Sequence, residues 1–326
     1  MAYQEYAITT LDDVPALAIA FAVAAGWNAN NGGIRHPTIN AGSPGGDTYE
    51  FVTEENALIK DLICRSQSFA ASRQARIRNP VHAQAASPYA GFRLAPTKLF
   101  LIGGVNPQPY LAVVVQFGFN LYRHLYLGYV EKQGTYSGGL IVSACNGPMA
   151  TDTRDRNYRY WRSNSYLFSA QQQTLGQSQQ GGMSVEGDWK EFRAKGGAGG
   201  ESNMRTGLYD GTEVMGGFND GIADILVQKA RAPLAGAIVL VPCTIYAPRF
   251  IGNDYRLRPL GRAAGVRMCS LAELEPEGSS QIASETWHHF AAISKQTDTV
   301  NFFPPGGNSR WPFSETSYLL GYAYKG

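Results

Sequence analysis

The chain has 326 residues, with 28 Lys and Arg against 26 Asp and Glu, so its formal net charge is only +2. So small a charge argues against nucleic acid or an anionic membrane as a partner, while the length allows one large domain or two. The 37 glycines, 18 tyrosines and 15 phenylalanines, together with a charged fraction of 17%, favour many strands and turns over long amphipathic helices.

The first predicted element is a helix that begins after Thr10. Residues 10–13 read Thr-Leu-Asp-Asp, a capping box with Asp in place of Glu, and Pro15 follows in the first turn. Apolar residues then recur at helical spacing until Gly26 ends the run before Trp27. These apolar positions are Val14, Leu17, Ala18, Phe21 and Ala25.

Between this helix and the centre of the chain, short patterns alternate with turn signals. Residues 28–46 are rich in Asn, Gly and Pro and predict a loop. Residues 49–53 and 57–66 predict strands, although the second range is also compatible with a short helix. The polar, Ala-rich range 67–88 predicts irregular structure.

The clearest β pattern lies between residues 99 and 144. Residues 99–102 and 110–117 predict an antiparallel pair, and residues 124–131 and 140–144 extend it as a meander. The uninterrupted apolar run from Leu111 to Val115 is typical of a strand covered on both faces.

Residues 151–205 differ in kind from the rest. They contain an Arg- and aromatic-rich stretch, a Gln-rich tract at 171–180 and a Gly-rich run at 195–200. Such sequence buries little apolar area, so we expect long irregular loops or an extended arm that becomes ordered only against neighbouring subunits. After it, we expect strands at 222–228, 237–246, 285–293 and 318–324 and a basic strand-and-turn passage at 256–269.

These patterns predict an α+β protein that is mostly β, with antiparallel sheets or a sandwich, one N-terminal helix, and long irregular loops or an arm. Three regions follow. Residues 1–150 form the helix and a sheet region, residues 151–205 the Gln- and Gly-rich loop or arm, and residues 206–326 a C-terminal β region packed with the first as one body. No apolar run reaches the roughly 20 residues that span a bilayer, and no signal peptide opens the chain, so we expect a soluble protein made in the cytoplasm.

Neither a metal nor an organic cofactor is predicted. Cys64, Cys145, Cys243 and Cys269 contain no Cys-x-x-Cys pair and read as buried thiols rather than disulfides. His288 and His289 could ligate a metal, but neighbouring residues of a strand point to opposite faces and cannot chelate together.

The candidates for catalysis are few, and each has a structural alternative. His124, within a predicted strand, is read as a core or interface histidine rather than a general base. Four aspartates could supply a carboxylate pair for glycoside hydrolysis, but their spacing does not distinguish them from surface acids. They are Asp152, Asp155, Asp220 and Asp224. The Ser137-Gly138-Gly139 turn lacks a nucleophile elbow, and the Gly196–Gly200 run lacks the end of a phosphate loop.

An Arg- and aromatic-rich cluster is the candidate interface. Arginines interleaved with aromatics can stack on single-stranded bases, but protein interfaces enrich the same residue types. The small net charge favours the protein interface. The candidate interface residues are Arg154, Arg156, Tyr158, Tyr160, Trp161 and Arg162.

Short stretches spread over nearly the whole length resemble a family of tailed-bacteriophage and prophage virion structural proteins. They are Ala-Ala-Gly-Trp at 24–27, Tyr-Arg-His-Leu-Tyr-Leu-Gly-Tyr-Val-Glu-Lys at 122–132 with Gly-Thr-Tyr-Ser-Gly-Gly at 134–139, Arg-Pro-Leu-Gly at 258–261 with Val-Arg at 266–267, Glu-Thr-Trp-His-His-Phe at 285–290, and Leu-Gly-Tyr-Ala-Tyr-Lys at 320–325. Where such relatives carry Phe-Pro after the late Trp, this chain has His-His-Phe.

The resemblance implies a non-enzymatic virion component that forms or decorates a ring at the neck or collar of the tail. Its partners would be other copies of itself and other neck or tail proteins, and it would reside in the virion after synthesis in the host bacterial cytoplasm. Two alternatives stay open: a baseplate, tail-tip or fibre-attachment protein, and a virion-associated glycan-binding or wall-degrading protein. A cleft with paired acids would favour wall degradation, and exposed aromatics on one sheet face would favour glycan binding.

Overall fold

A computed structural model describes residues 2–43, 45–55, 60–68, 74–79, 81–82, 92–117, 121–136, 138–145, 167, 182–187, 238, 240–251, 254–271, 274–292 and 320–326. Within them the chain is mostly β, with antiparallel sheets and an N-terminal helix, which confirms the predicted fold class. The strands are β1 (Ala2–Ala7), β2 (Asn28–Asn30), β3 (Gly33–Arg35), β4 (Tyr49–Glu55), β5 (Lys60–Ser66), β6 (Gln74–Arg78), β7 (Val81–His82), β8 (Phe92–Arg93), β9 (Pro96–Gly104), β10 (Tyr110–Phe117), β11 (Tyr122–Lys132), β12 (Gly138–Cys145), β13 (Gly182–Gly187), β14 (Leu240–Ile251), β15 (Asp254–Ser270), β16 (Ser279–Ile282), β17 (Glu285–Ala291) and β18 (Leu320–Lys325).

The N-terminal helix begins as predicted. A 3₁₀ turn (Leu11–Asp13) leads into α1 (Val14–Ala24), and both halves of the capping box are present. The Thr10 hydroxyl accepts from the Asp12 N–H at 3.3 Å, and the Asp13 carboxylate accepts from the Thr10 N–H at 3.3 Å. Gly26, at φ +106°, ends the helix, because this backbone conformation favours glycine. None of the described helical residues forms a segment long and apolar enough to span a membrane.

The largest sheet has eleven strands. Its path runs β1-β9-β10-β11-β15-β18-β17-β16, with β12 and β13 added on β11 and β14 added on β15. Beside it lie a five-stranded sheet, β2 to β6 in chain order, and the β7-β8 pair. The predicted antiparallel pair and its meander are confirmed as β9, β10, β11 and β12.

The centre of this sheet is covered on both faces, as the apolar run in β10 predicts. One face, which includes Val113 and Leu125, packs against α1 and the five-stranded sheet. The other face, which includes Val114 and Tyr126, packs against the C-terminal strands. Every residue of β10 is buried for this reason.

The eleven-stranded sheet curls until its two ends meet. The Tyr3 ring on β1 stacks on the His288 ring on β17, with centroids 3.9 Å apart and planes 3° from parallel. Beside this stack, the Lys98 ammonium on β9 donates to the Glu277 carboxylate at 2.8 Å. The curl encloses the core on the C-terminal side of the sheet.

Two predictions for the N-terminal part are wrong in detail. The predicted loop at 28–46 contains β2 and β3, and the predicted irregular range 67–88 contains β6 and β7. In β6, Ala75 and Ile77 are both buried and lie at alternate positions, so two apolar residues suffice to fix the strand against β5. The range 57–66 is a strand from Lys60 onward, not a short helix.

Two of the C-terminal strands extend further than predicted. The strand predicted at 237–246 is β14, which continues to Ile251. The passage at 256–269 is one strand of 17 residues, β15, although Gly261 and Gly265 have φ values of +149° and +62°. These glycines do not end the strand, because the β14 ladder continues past both, with register shifts at Pro242/Thr244 and Ile245/Tyr246. The strands predicted at 285–293 and 318–324 are confirmed as β17 and β18, and the one at 222–228 lies outside the described residues.

Within residues 151–205 the structure describes Leu167 and residues 182–187, and both contact the main body. The β13 strand pairs with β12, for example Val185 with Ile141. Leu167 is 2% exposed, and its N–H donates to the Tyr322 hydroxyl at 2.7 Å. The partners of these described residues belong to the same chain, and for the rest of the range the arm stays a prediction.

Candidate functional site

The predicted candidate interface lies outside the described residues. This holds for Arg154, Arg156, Tyr158, Tyr160, Trp161 and Arg162. It also holds for Asp152, Asp155, Asp220 and Asp224, and for the Gly196–Gly200 run. Both the interface and the carboxylate pair therefore stay predictions.

His124 is a core residue, as predicted. Its side chain is 0% exposed, and its two ring nitrogens each lie 2.8 Å from one partner, the Tyr324 hydroxyl and the Ala291 carbonyl. Because the carbonyl can only accept, Nε2 carries the proton and Nδ1 accepts from Tyr324. Burial lowers the pKa of His124 to about 4, so the ring is neutral at pH 7.

His288 and His289 point apart, which is the arrangement that β-strand alternation predicts. The His288 ring is half-buried on Tyr3, whereas His289 is 1% exposed on the opposite face. Burial and the neighbouring His288 lower the pKa of His289 to about 4. Within the described residues, no three His, Cys, Asp or Glu side chains are arranged to hold a metal ion.

All four cysteines are buried, and none forms a disulfide, which confirms the prediction. Burial raises the pKa of Cys243 to about 12 and raises the pKa values of Cys64 and Cys269 as well. The Cys145 thiol donates to the Ala292 carbonyl at 3.3 Å. Cys64, Cys243 and Cys269 are therefore held in the unreactive, protonated form.

A polar cluster around Glu277 was not predicted from the sequence. The Glu277 carboxylate accepts from the Gln116 amide at 2.6 Å, from the Tyr122 hydroxyl at 2.6 Å and from Lys98 at 2.8 Å. Burial and this carboxylate raise the pKa of Tyr122. The partners lie 155 to 179 residues from Glu277 in the chain, so no local motif could reveal the cluster. It ties the turn before β16 to β9, β10 and β11.

A pocket of about 240 Å³ opens where β11, β15, β17 and β18 meet the β9-β10 turn. Its lining residues are Asn106, Pro107, Gln108, Tyr110, Glu131, Gly265, Arg267, Glu285, Trp287 and Lys325. The Tyr110 ring lies over Gly265, where a β-carbon would overlap it, and the Tyr110 hydroxyl donates to the Lys325 carbonyl. Glycine at 265 therefore lets an aromatic ring form one wall of the pocket.

Four charged side chains line this pocket. Lys325 and Glu285 form an ion pair, and the Lys325 hydrogen bond lowers the pKa of Glu285. The Arg267 guanidinium lies over the Trp287 ring, 5.3 Å from its centroid. The buried Trp287 N–H has no hydrogen-bond partner among the described residues. Sequence reasoning missed the pocket because its walls come from five separate segments.

Neither a scan against protein-family models nor a search of curated proteins finds a match for this chain.

Proposed function

We propose that this chain is a non-enzymatic structural component of a tailed-bacteriophage particle, forming or decorating a ring at the neck or collar of the tail. The sequence resemblance supports the assignment to a virion. One structural observation supports an assembly role: the outer parts of β14 and β15 form a two-stranded ribbon, residues 246–251 and 254–259.

The ribbon extends beyond the other described strands. It is paired from Tyr246↔Pro259 to Ile251↔Asp254. On the other side of β15, β11 pairs only with residues 261–263 and β18 only with residues 266–270. No described strand therefore flanks the ribbon. A two-stranded ribbon alone is marginally stable in water, so contact with another surface would stabilise it.

The sequence of the ribbon is largely apolar. Eight of its twelve paired residues are apolar or aromatic, and the other four are charged: Arg249, Asp254, Arg256 and Arg258. An extended ribbon of this composition suits packing against a different surface of the next subunit, which is the head-to-tail contact that closes a ring.

The test combines oligomeric state with location. The first variant replaces residues 247–258 by an Asn-Gly turn. The matched control, Arg249→Gln with Arg256→Gln, keeps the ribbon and removes two of its charges. We expect light scattering to show rings for the wild type and the control but folded monomers for the ribbon variant. Rings that persist in the ribbon variant contradict the role given to the ribbon.

Immunogold labelling tests the place in the particle, and zymography tests the absence of catalysis. We expect gold at the neck, and no clearing of host peptidoglycan or surface polysaccharide by the purified protein. Gold at the tail tip contradicts the neck assignment, and absence of gold from the particle contradicts the virion role. Clearing that one Asp→Ala change at 152, 155, 220 or 224 abolishes contradicts the non-enzymatic role.

A further inference from the structure

The pocket beside Trp287 carries two opposite charges that form no ion pair with each other or with another described side chain, although Arg267 acts at longer range on Glu285 and helps to lower its pKa. Of its four charged residues, Lys325 and Glu285 form an ion pair. Arg267 and Glu131 form no ion pair with any described residue and also line the pocket. Charges in a concave site are the groups that orient a polar ligand.

The Arg267 guanidinium is positioned to bind an anion. Its Cζ lies over the Trp287 ring, 5.3 Å from the centroid, and Nη1 donates to the Val266 carbonyl at 2.8 Å. This is its only hydrogen bond in the described part of the chain. Guanidinium has five N–H donors in a planar fork that matches a carboxylate, so donors are left for a ligand. Stacking on Trp287 limits the motion of the fork before a ligand binds.

Glu131 supplies the opposite charge near the end of β11. Its neighbour in the β15 ladder is Arg262, which is exposed and forms no ion pair with it. An ionised carboxylate is an acceptor only, so its complement is a cationic donor such as an ammonium group. The amide side chains of Asn106 and Gln108 line the same pocket and add neutral donors and acceptors.

We propose that this pocket binds a small zwitterion of the amino-acid class, with the ligand carboxylate on Arg267 and the ligand ammonium on Glu131. The volume of about 240 Å³ lies below the roughly 300–1,000 Å³ typical of drug-sized ligands and suits a molecule of amino-acid size. A net charge on the ligand is not needed, since the two protein charges compensate each other. The site is independent of the ring role proposed above.

The experiment measures binding of the common amino acids to the full chain by saturation-transfer NMR and calorimetry. The tightest binder is then compared with its methyl ester, which lacks the carboxylate, and its N-acetyl derivative, which lacks the ammonium. Because each derivative loses one charge-assisted contact, we expect each to bind at least about tenfold more weakly.

Two substitutions assign the two contacts. Arg267→Gln should weaken binding of the amino acid but leave the affinity for the methyl ester unchanged. Glu131→Gln should weaken binding of the amino acid but leave the affinity for the N-acetyl derivative unchanged. Arg65→Gln, in the five-stranded sheet, is the matched control and should bind as the wild type does. Circular dichroism verifies that each variant is folded. The proposal is overturned if no amino acid binds at millimolar concentration, or if Arg267→Gln and Glu131→Gln still discriminate against the derivatives as the wild type does.

Discussion

Replacement of His124 by Gln should change the pH dependence of stability more than stability at neutral pH. In the folded protein the pKa of His124 is lowered by burial to about 4, against an ordinary 6.5. Between these values the unfolded chain binds a proton that the folded chain does not, so stability falls as pH decreases through this window. At about 1.4 kcal/mol per pKa unit, the wild type loses about 3 kcal/mol from this residue alone.

A glutamine at position 124 can form the same two hydrogen bonds as His124 but does not titrate. Its amide can donate to the Ala291 carbonyl and accept from the Tyr324 hydroxyl, the two partners of His124. We therefore expect the free energy of unfolding to fall by about 1–2 kcal/mol at pH 7, because the hydrogen-bond geometry is imperfect. Between pH 4 and 6.5 the free energy of unfolding should depend less on pH than in the wild type. Urea unfolding at a series of pH values measures both quantities.

A second histidine provides the comparison. The pKa of His289 is also lowered to about 4, so His289→Gln should reduce the pH dependence of the free energy of unfolding by a further, independent amount. The double variant should show the weakest pH dependence. If wild type and His124→Gln lose stability in parallel over this pH range, His124 is not the buried neutral group that the geometry describes.

The remaining predictions concern packing, backbone conformation and thiol chemistry. Leu125→Ala, at a fully buried position, should cost about 2–5 kcal/mol in urea unfolding, whereas Val23→Ala, 39% exposed, should cost less than about 0.5 kcal/mol; similar costs at both sites contradict the core assignment. Gly265→Ala, at φ +62° and against the Tyr110 ring, should cost more than about 3 kcal/mol. Gly42→Ala, at φ +84° with nothing within 4 Å, should cost about 1 kcal/mol; equal losses contradict the steric argument. The four cysteines should resist iodoacetamide in the native protein and all react in guanidinium, as mass spectrometry would show; rapid labelling of the native protein contradicts their burial.

Local patterns predicted the elements whose partners are close in the chain. The capping box from Thr10 to Asp13 specifies the helix start within four residues. The unbroken apolar run of β10 indicates a strand that is buried on both faces. The structure confirms both. By contrast, β6 has only two buried apolar residues, Ala75 and Ile77. The polar residues around them leave too short an alternating pattern to predict a strand.

Contacts between distant segments could not be predicted in this way. His124 was recognised as a core residue, but its partners lie 167 and 200 residues further along the chain. Glu277 adopts φ +65°, unusual for a residue with a side chain, and joins residues from β9, β10 and β11. The pocket depends on the same kind of assembly, because no sequence pattern marks which strands will lie side by side.

The late position of β18 has a consequence for synthesis. The core face that includes Tyr110, Tyr122 and Tyr126 is covered partly by Tyr322 and Tyr324, which belong to β18. While the ribosome is still adding residues before 320, this aromatic face has no cover from β18, and exposed apolar surface on a nascent chain favours aggregation. We expect ribosome-bound chains that end before β18 to bind chaperones, and release to follow once Leu320–Lys325 can pair with β15 and β17.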